Sequence, residues 1–440
     1  MTSTSWRPTR RKVSARSLAG AAAAALVGCG REASPAAPPA VGSATLRWTS
    51  WATAGDALQR ATDQANAFMA AVPQVKVELD NVASGATYRQ KLITQTAAGS
   101  PSDVFRTHIR DYESWIAQGI VAALDERIKK EPKDSYFTRI NPAIWDIAHF
   151  KGKVYGLPNA GMIPVVWVNK PLFQEAGLTL PPTKWGDPAW TWDAYLQAAT
   201  RLTKRGADGA SQVGTDLPEW KFQWWTFIYA NGGEVLNKDR TESMLHTPQA
   251  LEALQFVADW RAKNRVAATA DELKSGTFDW KNGKLGMNPR DLGIAGTATF
   301  NHDVYPFPMP SKAVGKPAVF WEHTYWSMST GSKVSDAAWA YLKWLGGPDG
   351  SRIENEYGFS LTFIRGTEDA YLKRFPSLNA KVPLSAMDHV VRANPYHAGW
   401  YEMMDVLQPQ LDAMLAGQKT AKEAITTAKP QLDALLKQVR

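Results

Sequence analysis

Cysteine is nearly missing from this chain: Cys29 is the single one among 440 residues, so neither an internal disulfide framework nor a thiolate zinc cluster can hold the fold together. Histidine is scarce too. The seven histidines are scattered, with no HExxH or other paired-ligand spacing, so neither a metal nor any other cofactor is expected. After Val27 no apolar run approaches the ~20 residues that cross a bilayer as a helix. No internal repeat of fixed period is present. The body also lacks a cluster of Lys and Arg interleaved with aromatic rings, which argues against a nucleic-acid partner. The formal charge of +8 misleads here, because five basic and no acidic residues fall within 1–28, leaving about +3 for the remainder.

Those first residues carry their own signal. Arg7, Arg10, Arg11, Lys12 and Arg16 precede an apolar stretch from Leu18 to Val27, the basic-then-apolar order of a secretory signal peptide, here residues 1–28. Leu26-Val27-Gly28-Cys29 resembles the bacterial lipobox, in which small residues admit a peptidase to the bond before a lipidated cysteine. An unpaired thiol is a liability where disulfides form, which favours lipidation of Cys29. Thr9-Arg10-Arg11-Lys12-Val13 also resembles a twin-arginine export signal, although Val13-Ser14-Ala15 lacks the bulky apolar pair that usually follows. Residues 29–44 are rich in Pro, Ala and Ser without periodicity and read as a lipidated cysteine plus flexible tether. The expected location is extracytoplasmic, on the periplasmic or outer surface, with the lipid on Cys29 as membrane anchor.

The remaining ~395 residues exceed what one hydrophobic core usually serves, so two domains are expected. Hydrophobic residues make up 44% and charged residues 21%, an ordinary globular balance. Tryptophan is in excess, with 19 Trp against 15 Phe and 13 Tyr. Most of these rings belong to cores, but Trp51, Trp224, Trp225, Trp321 and Trp326 sit beside turn residues, and loop indoles suit stacking on a sugar ring. Along the body, residues 45–50 alternate as a strand and 56–71 carry apolar positions at helical spacing. Residues 75–79 alternate again, 87–98 read as a helix, and 103–105 begin a strand. Further helices are predicted over 192–203, 248–263 and 336–345. Strands alternating with helices imply an α/β fold with parallel strands covered on both faces. Ligands of such sheets bind beyond the carboxyl ends of the strands, which puts Trp51, Thr53 and residues 106–111 on the ligand side.

Several segments in order resemble the family 1 extracellular solute-binding proteins, sugar receptors of ABC importers related to maltose-binding protein. They are Ala98-Gly99-Ser100-Pro101-Ser102-Asp103-Val104, Gly119 to Asp125, Lys151 to Pro158, Val168 to Phe173 with Ala176-Gly177-Leu178, Asn231-Gly232-Gly233-Glu234, Gly283 to Met287, and Gly331-Ser332-Lys333 with Ala338-Trp339. Ser102 interrupts the family's Pro-Asp adjacency, Trp167 and Val168 stand where Tyr is common, and Asn288-Pro289-Arg290 replaces a small-residue run. The resemblance implies a two-lobed periplasmic-binding-protein fold whose hinge-linked lobes close on ligand. Crossings are expected near 163–166, 304–307 and 347–352. Lobe 1 is then 45–163 plus 307–347, and lobe 2 is 164–306 plus 348–440. It also implies a monomer that captures a sugar or oligosaccharide and hands it to membrane permease subunits.

Candidate ligand-binding residues follow. Trp224 and Trp225 lie where the family presents an aromatic platform from the second lobe. Trp321, Glu322 and His323 offer a stacking face, an acceptor and a donor. His108, Arg110 and Asp111 follow a strand end, within reach of ligand hydroxyls. Arg290, Tyr357 and Arg365 complete the set, whereas Tyr396 and Trp400 are expected to pack a C-terminal helix. Two rival readings are a receptor for a phosphorylated polyol such as glycerol phosphate, which Arg110, Arg290 and Arg365 would serve, and a secreted glycoside-cleaving lipoprotein. The latter needs two carboxylates flanking one bond, for which Glu322 with Asp111 is the available pair. Glu354 and Glu356, two apart on a helix, face different ways.

Overall fold

In a computed structural model of the chain, the described residues are 41–438 apart from 134, 218–223, 314–316, 321, 359 and 393–395. The signal peptide, Cys29 and all but the last residues of the tether therefore lie outside the described residues, as does Trp321.

Two sheets organise the body. The first runs, in spatial order, Leu361–Thr362, Leu157–Met162, Glu322–Met328, Val104–His108, Ala44–Ser50 and Val75–Asn81. Its three N-terminal strands are parallel, as their spacing with the helices Gly55–Ala71 and Ala86–Ala97 requires. The strand Glu322–Met328 is antiparallel to both neighbours. That reversal matters for function. Thr324 is paired with His108 and Glu322 with Met162, so the start of the late strand meets the carboxyl ends of two earlier ones.

The second sheet runs His302–Tyr305, Val165–Asn169, Leu285–Arg290, Gly209–Thr215 and Lys204–Gly206. Val165 to Val168 is an unbroken apolar run because the strand Val165–Asn169 has neighbours on both sides, and all five of its residues are buried. The helices Trp192–Leu202, Pro248–Ala262, Trp400–Leu415 and Ala421–Gln438 form its layers.

Helix faces follow the apolar spacing. In Gly55–Ala71, Ala61, Ala65 and Phe68 point inward at three- and four-residue steps, and the Phe68 ring lies 4.7 Å from that of Tyr341. Pro248 occupies the first turn of its helix, where its missing N–H costs nothing. Among the described residues no helix is long and apolar enough to cross a membrane.

The chain leaves the first sheet at Met162 and enters the second at Val165, and it leaves the second again after Tyr305. The third passage differs from the one expected at 347–352. Gly346-Gly347-Pro348 is a tight turn between two helices of the first layer, and a Cβ at Gly350 would stand 2.5 Å from the Leu345 carbonyl. The helix Pro348–Tyr357 and the strand Leu361–Thr362 thus build onto the first sheet, not the second, and the expected second-lobe segment 348–440 starts too early. A Gly-Pro pair marks a turn without saying which layers it joins.

Candidate functional site

The carboxyl ends of the first sheet open onto a cavity of about 310 Å³. Its walls come from Trp51 after the first strand, His108, Arg110 and Asp111 after the third, Asn159 to Met162, and Glu322 and Thr324. The second layer contributes Tyr401.

His108 ends its strand and caps the helix Ile109–Ala117: its Nδ1 accepts the Arg110 N–H at 3.2 Å. With Nδ1 used as acceptor, Nε2 carries the proton and donates to Glu322 Oε1 at 2.8 Å. The Arg110 guanidinium stands 3.5 Å from the same oxygen, and the Tyr396 hydroxyl donates to it at 3.4 Å. Burial alone would raise the Glu322 carboxyl, yet His108, Arg110 and Tyr396 together hold it below the ordinary carboxylate range. Its Oε2 is buried and has no hydrogen-bond partner among the described residues.

Asp111 behaves in the opposite way. Burial pushes its carboxyl up, only partly countered by His108, the Tyr401 hydroxyl donating at 3.0 Å, and Arg89 at 3.8 Å. The Arg89 guanidinium also lies 4.3 Å from the centre of the Tyr401 ring.

Behind Trp51 stands a charged stack. The Arg106 guanidinium lies 5.2 Å from the Trp51 ring and 4.5 Å from Trp326, and pairs with Glu354 at 3.2 Å. Arg60 grips the other Glu354 oxygen at 2.7 Å. Burial lowers Arg106 to about 10, with Glu354 opposing, so it stays protonated at neutral pH.

Of the sequence candidates, Trp51, His108, Arg110, Asp111 and Glu322 converge on this cavity. Others do not. Trp224 and Trp225 sit in a buried helix, Trp224–Ala230, instead of a loop, and Trp225 packs edge-on to Trp400 at 4.9 Å. Trp326 is a buried strand residue rather than a loop ring. His323 points to the opposite face of its strand from Glu322, where its Nε2 meets the Tyr325 hydroxyl at 2.7 Å. Thr53 is exposed outside the lining. Tyr357 donates to Asp63 at 2.6 Å, exposed Arg365 pairs with Asp388, and Arg290 lies on the second sheet opposite Val165. Sequence reasoning missed Arg89 and Tyr401, whereas Arg106 falls in the 106–111 segment placed on the ligand side. Arg89 sits in the helix flanking that side and was legible there. Tyr401 carried no comparable signal.

Three comparisons bear on this arrangement. A family model described as bacterial extracellular solute-binding protein matches residues 48–351. A binding protein of Brucella abortus is 26% identical over 364 residues, 79% of this chain and 83% of its own length. A lipoprotein of Streptomyces antibioticus is 26% identical over 263 residues, 59% of this chain and 55% of its own. In fold, the chain is similar to an ABC substrate-binding protein of Listeria monocytogenes solved in complex with cycloalternan: TM-score 0.76 and 21% identity, over 89% of this chain and 98% of that one. The α/β periplasmic-binding-protein fold expected from the sequence is the one found, in a family of solute receptors and not of enzymes. With the family model covering most of the body, the chain belongs to the bacterial extracellular solute-binding proteins.

Proposed function

We propose that the protein captures a small neutral saccharide in the 310 Å³ cavity and presents it to the membrane permease of an ABC importer, held at the membrane by a lipid on Cys29. The observation that carries this reading is the charge balance of the cavity. Each guanidinium that lines it faces a carboxylate: Arg110 with Glu322, Arg89 with Asp111, and Arg106 with Glu354. A phosphate ester needs uncompensated cations and would lie against two carboxylates. Hydroxyl groups both donate and accept, and so suit a wall of carboxylate and imidazole with an indole face at Trp51. The volume sits at the low end of the ~300–1,000 Å³ common for ligand pockets, which favours a mono- or disaccharide. The Listeria protein's cycloalternan complex agrees with a saccharide, and the Streptomyces relative's description agrees with the anchor.

A thermal-shift panel of mono- and disaccharides, longer oligosaccharides and glycerol phosphates tests it. A ligand present at 100 times its Kd stabilises by about 2.7 kcal/mol. Stabilisation by glycerol phosphate alone would overturn the neutral-saccharide reading.

A further inference from the structure

An ion pair joins the two layers away from the cavity. Glu113, on the helix that also carries Arg110 and Asp111, receives both terminal nitrogens of Arg240, one of them at 2.8 Å. Arg240 belongs to the second layer: its loop is tied by Ser243 N–H to Asp433 and by Lys429 to Glu242, both ties running to the C-terminal helix. The same Arg240 nitrogen that reaches Glu113 Oε1 also donates to the Tyr396 carbonyl at 2.7 Å. Tyr396 in turn donates its hydroxyl to Glu322 and packs edge-on to His108, the ring centres 6.4 Å apart. One guanidinium thus connects Glu113, Tyr396 and, through Tyr396, the carboxylate of the cavity.

Arg240 has a positive φ of 56°. An arginine there is unusual, because its Cβ crowds the backbone, and such a conformation persists only where surroundings over-determine it. The turn in which the Arg240 N–H donates to the Asn237 carbonyl at 2.9 Å supplies part of that constraint, and the double grip on Glu113 and the Tyr396 carbonyl adds to it. A bidentate guanidinium–carboxylate pair has a fixed geometry that a single surface lysine would not impose.

The geometry points to a clasp: Glu113 and Arg240 bridge the two lobes and favour this arrangement over a more open one, and Arg240 acts as a positioning residue that sets Tyr396 against Glu322. The inference rests on the two-lobed receptor reading but not on the identity of the solute.

The test therefore uses no solute. The full chain carrying Cys29→Ser receives spin labels at Asp336→Cys and Lys274→Cys, whose native side chains are 84% and 77% exposed, one on each lobe. Electron–electron distance distributions are then measured. The expected result is a short-distance population that falls roughly two- to fivefold relative to the long one in Glu113→Gln and in Arg240→Gln. It should recover in part when Glu113→Arg is combined with Arg240→Glu. The unsubstituted clasp should weaken in 1 M salt, where the screening length is about 3 Å. Distributions that are the same with and without the pair, or that ignore salt, would overturn the clasp while leaving the receptor reading intact. The salt arm needs no substitution at the clasp, so a variant that fails to fold does not remove the test.

Discussion

Replacing Glu354 with Gln keeps the shape of the side chain and removes one charge from between two buried guanidiniums. In the native protein Arg60 reaches Oε1 at 2.7 Å and Arg106 reaches Oε2 at 3.2 Å, with Ser360 and Gln64 donating as well. Both Arg side chains are under 10% exposed, so water cannot take over the lost partner. Breaking a buried pair by removing one member typically costs about 3–5 kcal/mol, because the stranded charge keeps its desolvation penalty. The expected outcome is a loss of that size in urea unfolding, seen as a lower midpoint with an unchanged slope. Burial would raise the Glu354 carboxyl, but Arg60 and Arg106 hold it below the ordinary range. Its contribution is therefore full above the unfolded-state pKa and disappears as the pH falls through the lower folded value, so the variant should also lose part of the acid limb of the stability curve. Adding Arg60→Met to Glu354→Gln should recover part of the loss, since one stranded cation is removed as well. A single-variant loss below about 1 kcal/mol, or strict additivity in the double variant, would refute the account of this stack as a mutually dependent triad.

Trp51→Ala should weaken binding of the best saccharide from the thermal-shift panel by roughly 1–3 kcal/mol while leaving the empty protein's melting temperature little changed. Trp225→Ala should do the reverse, costing about 3–5 kcal/mol of stability by opening a cavity beneath Trp400, as read by denaturant titration. Cys29→Ser should release folded protein into the soluble extracytoplasmic fraction, with continued membrane retention on fractionation counting against the anchor.

Much of the fold was legible because local periodicity and tertiary need agree. The helix expected over 248–263 forms at Pro248–Ala262, and that expected over 336–345 at Ser335–Leu345. The strand-end rule agrees with the cavity for Trp51, Arg106, His108, Arg110 and Asp111 but not for Thr53, because sheet topology decides where strand ends gather but not which loop side chains turn inward. Failures occurred where the deciding contact is far away in sequence. Trp224 and Trp225 follow a turn-rich stretch, yet Trp225 is buried against Tyr396 and Trp400, more than 170 positions later, and Trp224 packs on Trp225. Glu354 read only as one of two helix acids that face different ways, and its role appears only when Arg60 and Arg106 are brought against it. His323 and Glu322 are neighbours whose side chains part to opposite faces, a consequence of strand geometry that requires knowing the strand's register.

The late, antiparallel strand at the middle of the first sheet has a consequence for how the chain comes to be folded. Glu322–Met328 lies between strands that end at His108 and Met162, so neither can complete its pairing until nearly three-quarters of the polypeptide has been made. Until then Val104–His108 keeps one unpaired edge and Leu157–Met162 is separated from the three N-terminal strands. Pairing of such sequence separation is slow, because the closure entropy of a long loop precedes its reward. A nascent chain of this design can complete its first sheet, and the wall of the cavity that Glu322 supplies, only late in its synthesis.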